Sequence, residues 1–375
     1  MIGVQIKTIE PIAVSLPMLK PVVMAGEEVR RADNVLVRIE AGGFVGWGEA
    51  ASAPVMTGDT LESIVSAVHY LSAALRGRDA GDIAGALAAM DGRMYGNHGA
   101  KAAIEIALHD IVGRASGKPV HALLGEMKRS RLPLLGVIGG GDRDGDLRDA
   151  EQKKAAGVTA YKIKVGIDTP ENDAARTREI CKVLGNGMLI SSDANQGYST
   201  EQALAYVRAV KGSGLDFFEQ PVEAADMAGM AAVAAATDIA IGADEGIHSL
   251  EDIKRHHERK AARGVSLKAI KLGGIRAVTE AGRLCDSLGM NVNISCKTGE
   301  SSVACAAALH VAAVIPNIAW GLTLTHGGLA EDVAVRSVPT SKGFVDIIDR
   351  PGLGIEVDDG RVRHHRVAIA TRHVA

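Results

Sequence analysis

Lys162, Lys164, Asp193, Glu219, Asp244 and Lys268 lie along the middle of the chain, and from Lys164 onward they recur about every 25 residues. Each stands at or near the end of a short apolar run: YKIKV, MLISSDAN, FFEQP, IAIGADE and SLKAIKL. Three carboxylates gathered in one place repel and raise each other's pKa values. A divalent cation removes that conflict. All-oxygen ligation by Asp193, Glu219 and Asp244 suits Mg²⁺, with Mn²⁺ as its substitute, and leaves positions for water and substrate. Lys162 and Lys164 alternate with Ile163, so both point to one face of their strand. A buried ammonium is costly unless it meets a charge partner or sheds its proton. Two neighbouring lysines near a cation depress each other's pKa, which makes one a neutral base. Lys268 supplies a second amine from a later strand. Lys271 falls out of phase with it on that strand and is expected to be structural. A metal that polarises a carboxylate, with an amine on each side, stabilises the enediolate formed when the neighbouring C–H loses its proton.

Such a set requires parallel strands whose tips share a rim. From about residue 130 to 325, strand-like runs alternate with helical ones. The strands expected are 132–139, 160–165, 188–194, 216–220, 239–244, 266–272, 291–296 and 317–322. Eight strands with helices between them make a (β/α)8 barrel, whose active sites lie at the C-terminal strand ends. Residues 1–50 alternate in short runs and read as antiparallel strands around a polar loop, KPVVMAGEEVRRAD. Residues 60–124 read as helices, the last ending on a Gly-Lys-Pro stop. Strands followed by helices without alternation describe a small α+β domain. The expected division is 1–125 for that cap, 126–327 for the barrel, and 328–375 for a tail that packs back on the cap.

Composition excludes several classes. The formal net charge is −3 and aromatics are 3% of the chain. Neither suits a nucleic-acid surface or a base-stacking platform. KRHHERKAAR (254–263) is mixed in sign and reads as a solvated helix face. The alanine-rich run at 227–236 is too short for a bilayer, and the N-terminus lacks the pattern of a secretory leader. Cys181, Cys285, Cys296 and Cys305 show no CxxC spacing, consistent with free thiols in a reducing cytoplasm. The expected partner is a small carboxylate, with neither nucleic acid nor membrane.

YKIKV, SSDANQGY, FFEQPV, IGADEG and SLKAIKLGGI together resemble the signature of the enolase superfamily, in its muconate-lactonising subgroup. VGWGEA, AKAAIEIALHDIVGRASGKPVHALLG and RPGLGIEV are similar to that family's cap, connecting helix and tail, so the resemblance covers nearly the whole chain. It implies a (β/α)7-8 TIM-type barrel with an N-terminal α+β cap completed by the C-terminal tail. It implies Asp193, Glu219 and Asp244 as Mg²⁺ ligands, and Lys164 and Lys268 as the acid/base pair. Lys162 then orients Lys164 or holds the substrate carboxylate. Assembly into a homo-oligomer is usual among such relatives. The branch with a catalytic His on the seventh strand is disfavoured, since this chain has NVNISCKTGE there and keeps Lys268. His310 falls in the following helix and is expected to pack there.

Around this set, Asn195 either bonds the substrate or starts a loop, and Glu245 supports Asp244 from behind. Glu300 bonds the substrate or a lysine, or caps a helix. Cys296 and Lys297 stand where relatives often carry small or apolar residues, and Lys297 adds a cation at the mouth. WGLTLTHGG lacks the Asp-x-Asp pair with which dipeptide epimerases bind an α-amino group. Segments 20–27 and 51–59, with Met24 and Met56, are expected to close over the mouth. The leading expectation is a Mg²⁺-dependent cycloisomerase or racemase/epimerase. The alternatives are an acid dehydratase of the same superfamily, a Schiff-base aldolase using Lys162 or Lys164, and a non-catalytic metal-stabilised binding protein.

Overall fold

A computed structural model describes residues 3–24, 27–139 and 142–369. The cap opens with an antiparallel meander of β1 (Ile6–Met24), β2 (Glu27–Ala41) and β3 (Phe44–Ala51). Three helices follow: α1 (Leu61–Leu75), α2 (Ile83–Arg93) and α3 (His98–Ser116). Thr60 and Ser63 form a capping box at the start of α1, satisfying two donors that a helix N-terminus leaves open. At its other end α3 stops on Gly117 in the left-handed region, as its Gly-Lys-Pro signal predicts. The alanine-rich face of α3 lies directly on β3. A Cβ at Gly48 would come within 1.8 Å of the Ala103 carbonyl oxygen, so only glycine permits that approach.

The polar stretch 20–33 does not form a loop throughout. β1 and β2 continue as a hairpin there, pairing Val22 with Val29 and Met24 with Glu27 after an irregularity beyond Pro17. Cross-strand pairing of the β-branched Val22, Val23 and Val29 outweighs the local polar signal. Ala25 and Gly26, within the expected lid loop, lie outside the described residues.

A short strand β4 (Arg131–Pro133) precedes eight parallel strands. These are β5 (Leu135–Ile138), β6 (Ala160–Lys164), β7 (Leu189–Asp193), β8 (Phe217–Glu219), β9 (Ala240–Ala243), β10 (Gly264–Leu267), β11 (Asn291–Ser295) and β12 (Leu322–Thr323). They pair in chain order, and a bridge between Leu134 and Leu322 brings the two edges together. The chain thus folds as a nearly closed TIM-type barrel with an N-terminal cap.

Three strand expectations need correction. The stretch 132–139 is two strands: β4 pairs antiparallel with Phe344–Asp346 of the tail, and β5 joins the barrel. The partner changes beside Pro133, which has no N–H to donate. SLKAIKL is strand only to Leu267; Ala269–Leu272 is a helical turn closed by Gly273 at φ 88°. The Gly pair after helix-forming Ala, Ile, Lys and Leu is a C-cap signal that overrides the apparent alternation. The eighth strand starts at Leu322 rather than 317, because Gly321 at φ 74° breaks the run. Trp320 instead plugs the barrel floor, stacked on Phe217 with centroids 4.1 Å apart. A Cβ at Gly264 would sit 2.5 Å from its ring.

One apolar core fills the barrel wall and its helices, and a second joins α1 and α3 to the meander. The tail lies along the free edge of β1: Val367 N donates to Ala13 O at 2.9 Å, and Ala330 N to Pro17 O at 2.8 Å. No helix among the described residues is long and apolar enough to cross a membrane.

Candidate active site

Strand register puts Lys164, Asp193 and Glu219 side by side: Lys164 pairs with Asp193, and Asp193 with Glu219. Asp244 stands one residue beyond β9, and Lys268 one residue beyond β10. All of these side chains are buried. Lys164 Nζ lies 2.7 Å from Asp193 Oδ2, and Lys162 Nζ 2.6 Å from Glu219 Oε2. Across the mouth, Lys268 pairs with Asp244 Oδ2. Lys271, fully buried, also reaches Asp244, at 2.6 Å from Oδ1. It belongs to the helical turn after β10, so the strand-phase argument that set it aside does not apply.

Charge and burial compete at Asp193, Asp244, Lys162, Lys268 and Lys271. Burial raises the Asp193 carboxyl, but Lys164 and Lys162 outweigh it and hold it below the usual range. Asp244 is likewise held low by Lys268 and Lys271 against burial. Burial would push the Lys162 ammonium down, yet Glu219 and Asp193 keep it above the ordinary lysine value. Lys268 is kept high in the same way, chiefly by Asp244. For Lys271 burial prevails, and its pKa falls. Four lysine side chains therefore converge on three buried carboxyl groups.

The turns after the acids are unusual. Asn195, Gln196 and Gln220 have φ of 42°, 69° and 34°, left-handed conformations that cluster at functional sites when the surroundings enforce them. Asn195 Oδ1 accepts from Lys164 Nζ at 2.6 Å, and its Nδ2 donates to Glu245 Oε1 at 3.1 Å. Glu245 thus bonds Asn195 rather than backing Asp244. Burial, then the charge of Asp244, pushes its carboxyl up to about 7. Gln220 Oε1 accepts from the backbone of Asp244 (2.9 Å) and Gly246 (3.2 Å), fixing the turn that carries the third acid.

The mouth is a cavity of about 200 Å³, below the roughly 300–1,000 Å³ typical of drug-sized ligands. Lys162, Lys164, Asp193, Asp244 and Lys268 line its floor, with Asn195 and Glu245 beside them. Met24, Ala53, Val55 and Met56 line it from the cap. Cys296, Lys297, Thr298, Thr323 and Thr325 form the far wall. Glu300 is buried, and its Oε2 accepts from Lys297 N at 2.8 Å, closing the turn that presents Lys297. The cap of the next helix (Ser302–Val314) is Ser301, not Glu300. His310 packs in that helix, as expected, and its Nε2 bonds Leu353 O at 3.2 Å.

Two cap carboxylates hold the loops of the sixth and seventh strands, and sequence reasoning missed both. Glu49 of β3 accepts from Ser301 N (2.9 Å), Ser301 Oγ (2.6 Å), Ala304 N (2.9 Å) and Asn34 Nδ2 (2.8 Å). Glu105 of α3 accepts from Arg276 N at 3.2 Å, at the start of a helix whose N-cap, Gly274, has no side chain to offer. Glu49 follows the GWG motif, but nothing local in the sequence shows which helix it meets.

The three carboxylates fit a hard divalent ion. All end neighbouring strands, all offer oxygen, and the deepest, Glu219 Oε2, makes no well-angled hydrogen bond despite its lysine neighbour.

Comparison with known proteins fixes the family. Residues 8–125 match the mandelate racemase / muconate lactonizing enzyme N-terminal domain, and residues 146–361 the enolase C-terminal domain-like family. The chain belongs to the mandelate racemase/muconate lactonizing enzyme family of the enolase superfamily. It is 31% identical over 366 residues to a chloromuconate cycloisomerase of Cupriavidus necator, covering 96% of this chain and 99% of the relative. It is 33% identical over 347 residues to an L-Ala-D/L-Glu epimerase of Clostridium acetobutylicum, covering 91% and 96%. Among solved structures, the N-succinyl Arg/Lys racemase of Bacillus cereus superposes with a TM-score of 0.93 at 29% identity, over 97% of this chain and 98% of that one. This family member is an enolase-superfamily isomerase.

Proposed function

We propose that the enzyme is a Mg²⁺-dependent isomerase of a small carboxylate, working through an enediolate that its paired lysines form and quench. The observation supporting this reading is that Lys164 ends β6 and Lys268 follows β10, four strands apart around the barrel, with Asp193, Glu219 and Asp244 at the tips of the strands between them. Asp193, Glu219 and Asp244 would hold the ion; bound there, Mg²⁺ would neutralise the three acids and polarise a substrate carboxylate as a Lewis acid. Lys164, steered by Asn195, faces the reacting carbon from one side and Lys268 from the other. In racemisation one amine takes the α-proton and the other returns it on the opposite face. In cycloisomerisation a single lysine delivers the proton after ring closure. Lys162 lies below Lys164 and completes the positive floor under the substrate carboxylate. The apolar lid of Met24, Val55 and Met56 excludes water from the carbanionic intermediate.

The far wall narrows the substrate. The far wall is lined by Lys297, Thr298, Thr323 and Thr325, and no carboxylate stands among those lining residues. This favours an acid whose distal end is anionic or an amide, such as a muconate or an N-acyl amino acid, over a dipeptide with a free amino terminus. The test is a panel of muconates, N-succinyl amino acids and dipeptides assayed with Mg²⁺. Turnover confined to dipeptides would refute the assignment of the far wall.

A further inference from the structure

Outside the residues that line the cavity, the C-terminal helix (Asp359–His365) ends on two adjacent histidines beside Glu331. One ligand atom from each of Glu331, His364 and His365 lies within 4.8 Å of the others. His365 is buried, and its Nε2 is 3.0 Å from Glu331 Oε2. The two imidazoles meet edge-on, with centroids 4.8 Å apart. Tetrahedral zinc, with bonds of about 2.0–2.2 Å, sets its donors roughly 3.4 Å apart. The His365–Glu331 pair is already near that spacing. His364 is exposed, so its ring can turn inward without disturbing the core. Neighbouring cations have partners of their own: Arg361 donates to Asp332 O and Ala334 O, and Arg366 lies 3.6 Å from Glu10.

We propose that Glu331, His364 and His365 form a transition-metal site that takes Zn²⁺, separate from the carboxylate cage. Two imidazoles and one carboxylate select zinc-like ions, whereas all-oxygen sets suit Mg²⁺. The position gives the site a purpose. Leu329 bridges Met18 and Arg366 bridges Val14, both on the edge of β1 that β2 leaves open. An ion joining Glu331 to the tail helix ties these two segments together along that edge. Covering an edge strand removes its unpaired backbone groups from competition. The same strand runs on to Met24 in the cavity wall, so the site anchors the base of the lid.

The test is calorimetric titration of Zn²⁺ into the full-length protein, with Mg²⁺ in large excess to occupy the carboxylate cage. Wild type is compared with His364→Ala and Glu331→Gln, both at exposed positions, with circular dichroism establishing that each variant is folded. The proposal expects one Zn²⁺ per chain in wild type and affinity at least tenfold weaker in each variant. It also expects a Zn²⁺-induced rise in melting temperature that His364→Ala lacks, and retention of the Zn²⁺ event in Asp244→Asn. No binding in wild type, or equal binding and equal melting shifts in wild type and His364→Ala, overturns it. The readouts are binding and melting, so they stand apart from any failure of the proposed catalytic reaction.

Discussion

Replacing Lys268 by Met removes one of the two opposed amines and keeps most of its hydrocarbon stem. Two costs can be separated. Breaking a lone buried ion pair costs about 3–5 kcal/mol, because the remaining charge is stranded. Asp244 is not stranded here: Lys271 stays 2.6 Å from its Oδ1, and Gln220 still holds its backbone N–H. The expected loss is therefore smaller, about 1–2 kcal/mol. That is tolerable against the roughly 5–15 kcal/mol of a folded domain. Chemistry pays far more. Positioned proton transfer contributes about 10²–10⁴ in rate, or about 3–5 kcal/mol of barrier at 1.36 kcal/mol per decade. A folded Lys268→Met enzyme should thus lose at least a hundredfold in turnover of an acid identified by screening. Lys164 remains on the other face. In D₂O, one enantiomer of an α-chiral substrate should still exchange its proton while the other does not, and net conversion should stop. Circular dichroism establishes folding, and proton NMR follows exchange of each enantiomer separately. A folded variant that converts substrate within tenfold of wild type, or exchanges both enantiomers, refutes the two-face arrangement.

Asp193→Asn, Glu219→Gln and Asp244→Asn should each weaken Mg²⁺ binding at least a hundredfold by calorimetry, while Lys164→Ala leaves it within a few-fold of wild type; equal loss in all four would remove the distinction between ligands and bases. Glu49→Gln, though isosteric, should destabilise the protein by about 2–3 kcal/mol in urea denaturation, because each carboxylate oxygen accepts two hydrogen bonds and an amide NH₂ would face donors; a change below 0.5 kcal/mol would show that this cap-to-barrel contact carries little. Burial holds the His310 imidazole down at about 3, against 6.5 when exposed. A base with a depressed folded pKa gives stability that is full above 6.5 and lost as pH falls, since only the unfolded chain takes up the proton. Between pH 7 and pH 5 wild type should therefore lose about 2 kcal/mol more than His310→Gln, read from urea midpoints; parallel pH curves would contradict this.

Much of the barrel could be read because its logic is local. An apolar run of strand length that ends in Asp, Glu or Lys marks a strand tip, and Asp193, Glu219 and Asp244 are brought together by that rule alone. Failures came where pairing or turn chemistry overrides the local pattern, or where partners are distant in sequence. Residues 20–33 look polar, but the hairpin is decided by pairing across the strands. Lys271 was misplaced because the strand ends at Leu267, and only Gly273 signals the turn. Trp320 reads as a strand residue until Gly242 and Gly264 reveal the space it fills on the barrel floor. Glu49 and Glu105 serve helices some 170–250 residues away, and no local pattern encodes such a contact. Gln220 shows its role only through the left-handed turn it occupies.

The account stands most directly on whether this cavity labilises a carbon-bound proton in a metal-dependent way. With Mg²⁺ present, wild type in D₂O should place deuterium at the α-carbon of its substrate acid; chelation should abolish the exchange and added Mg²⁺ restore it. Exchange that persists at full rate in the chelated enzyme, or turnover with no solvent deuterium entering the product, would contradict it.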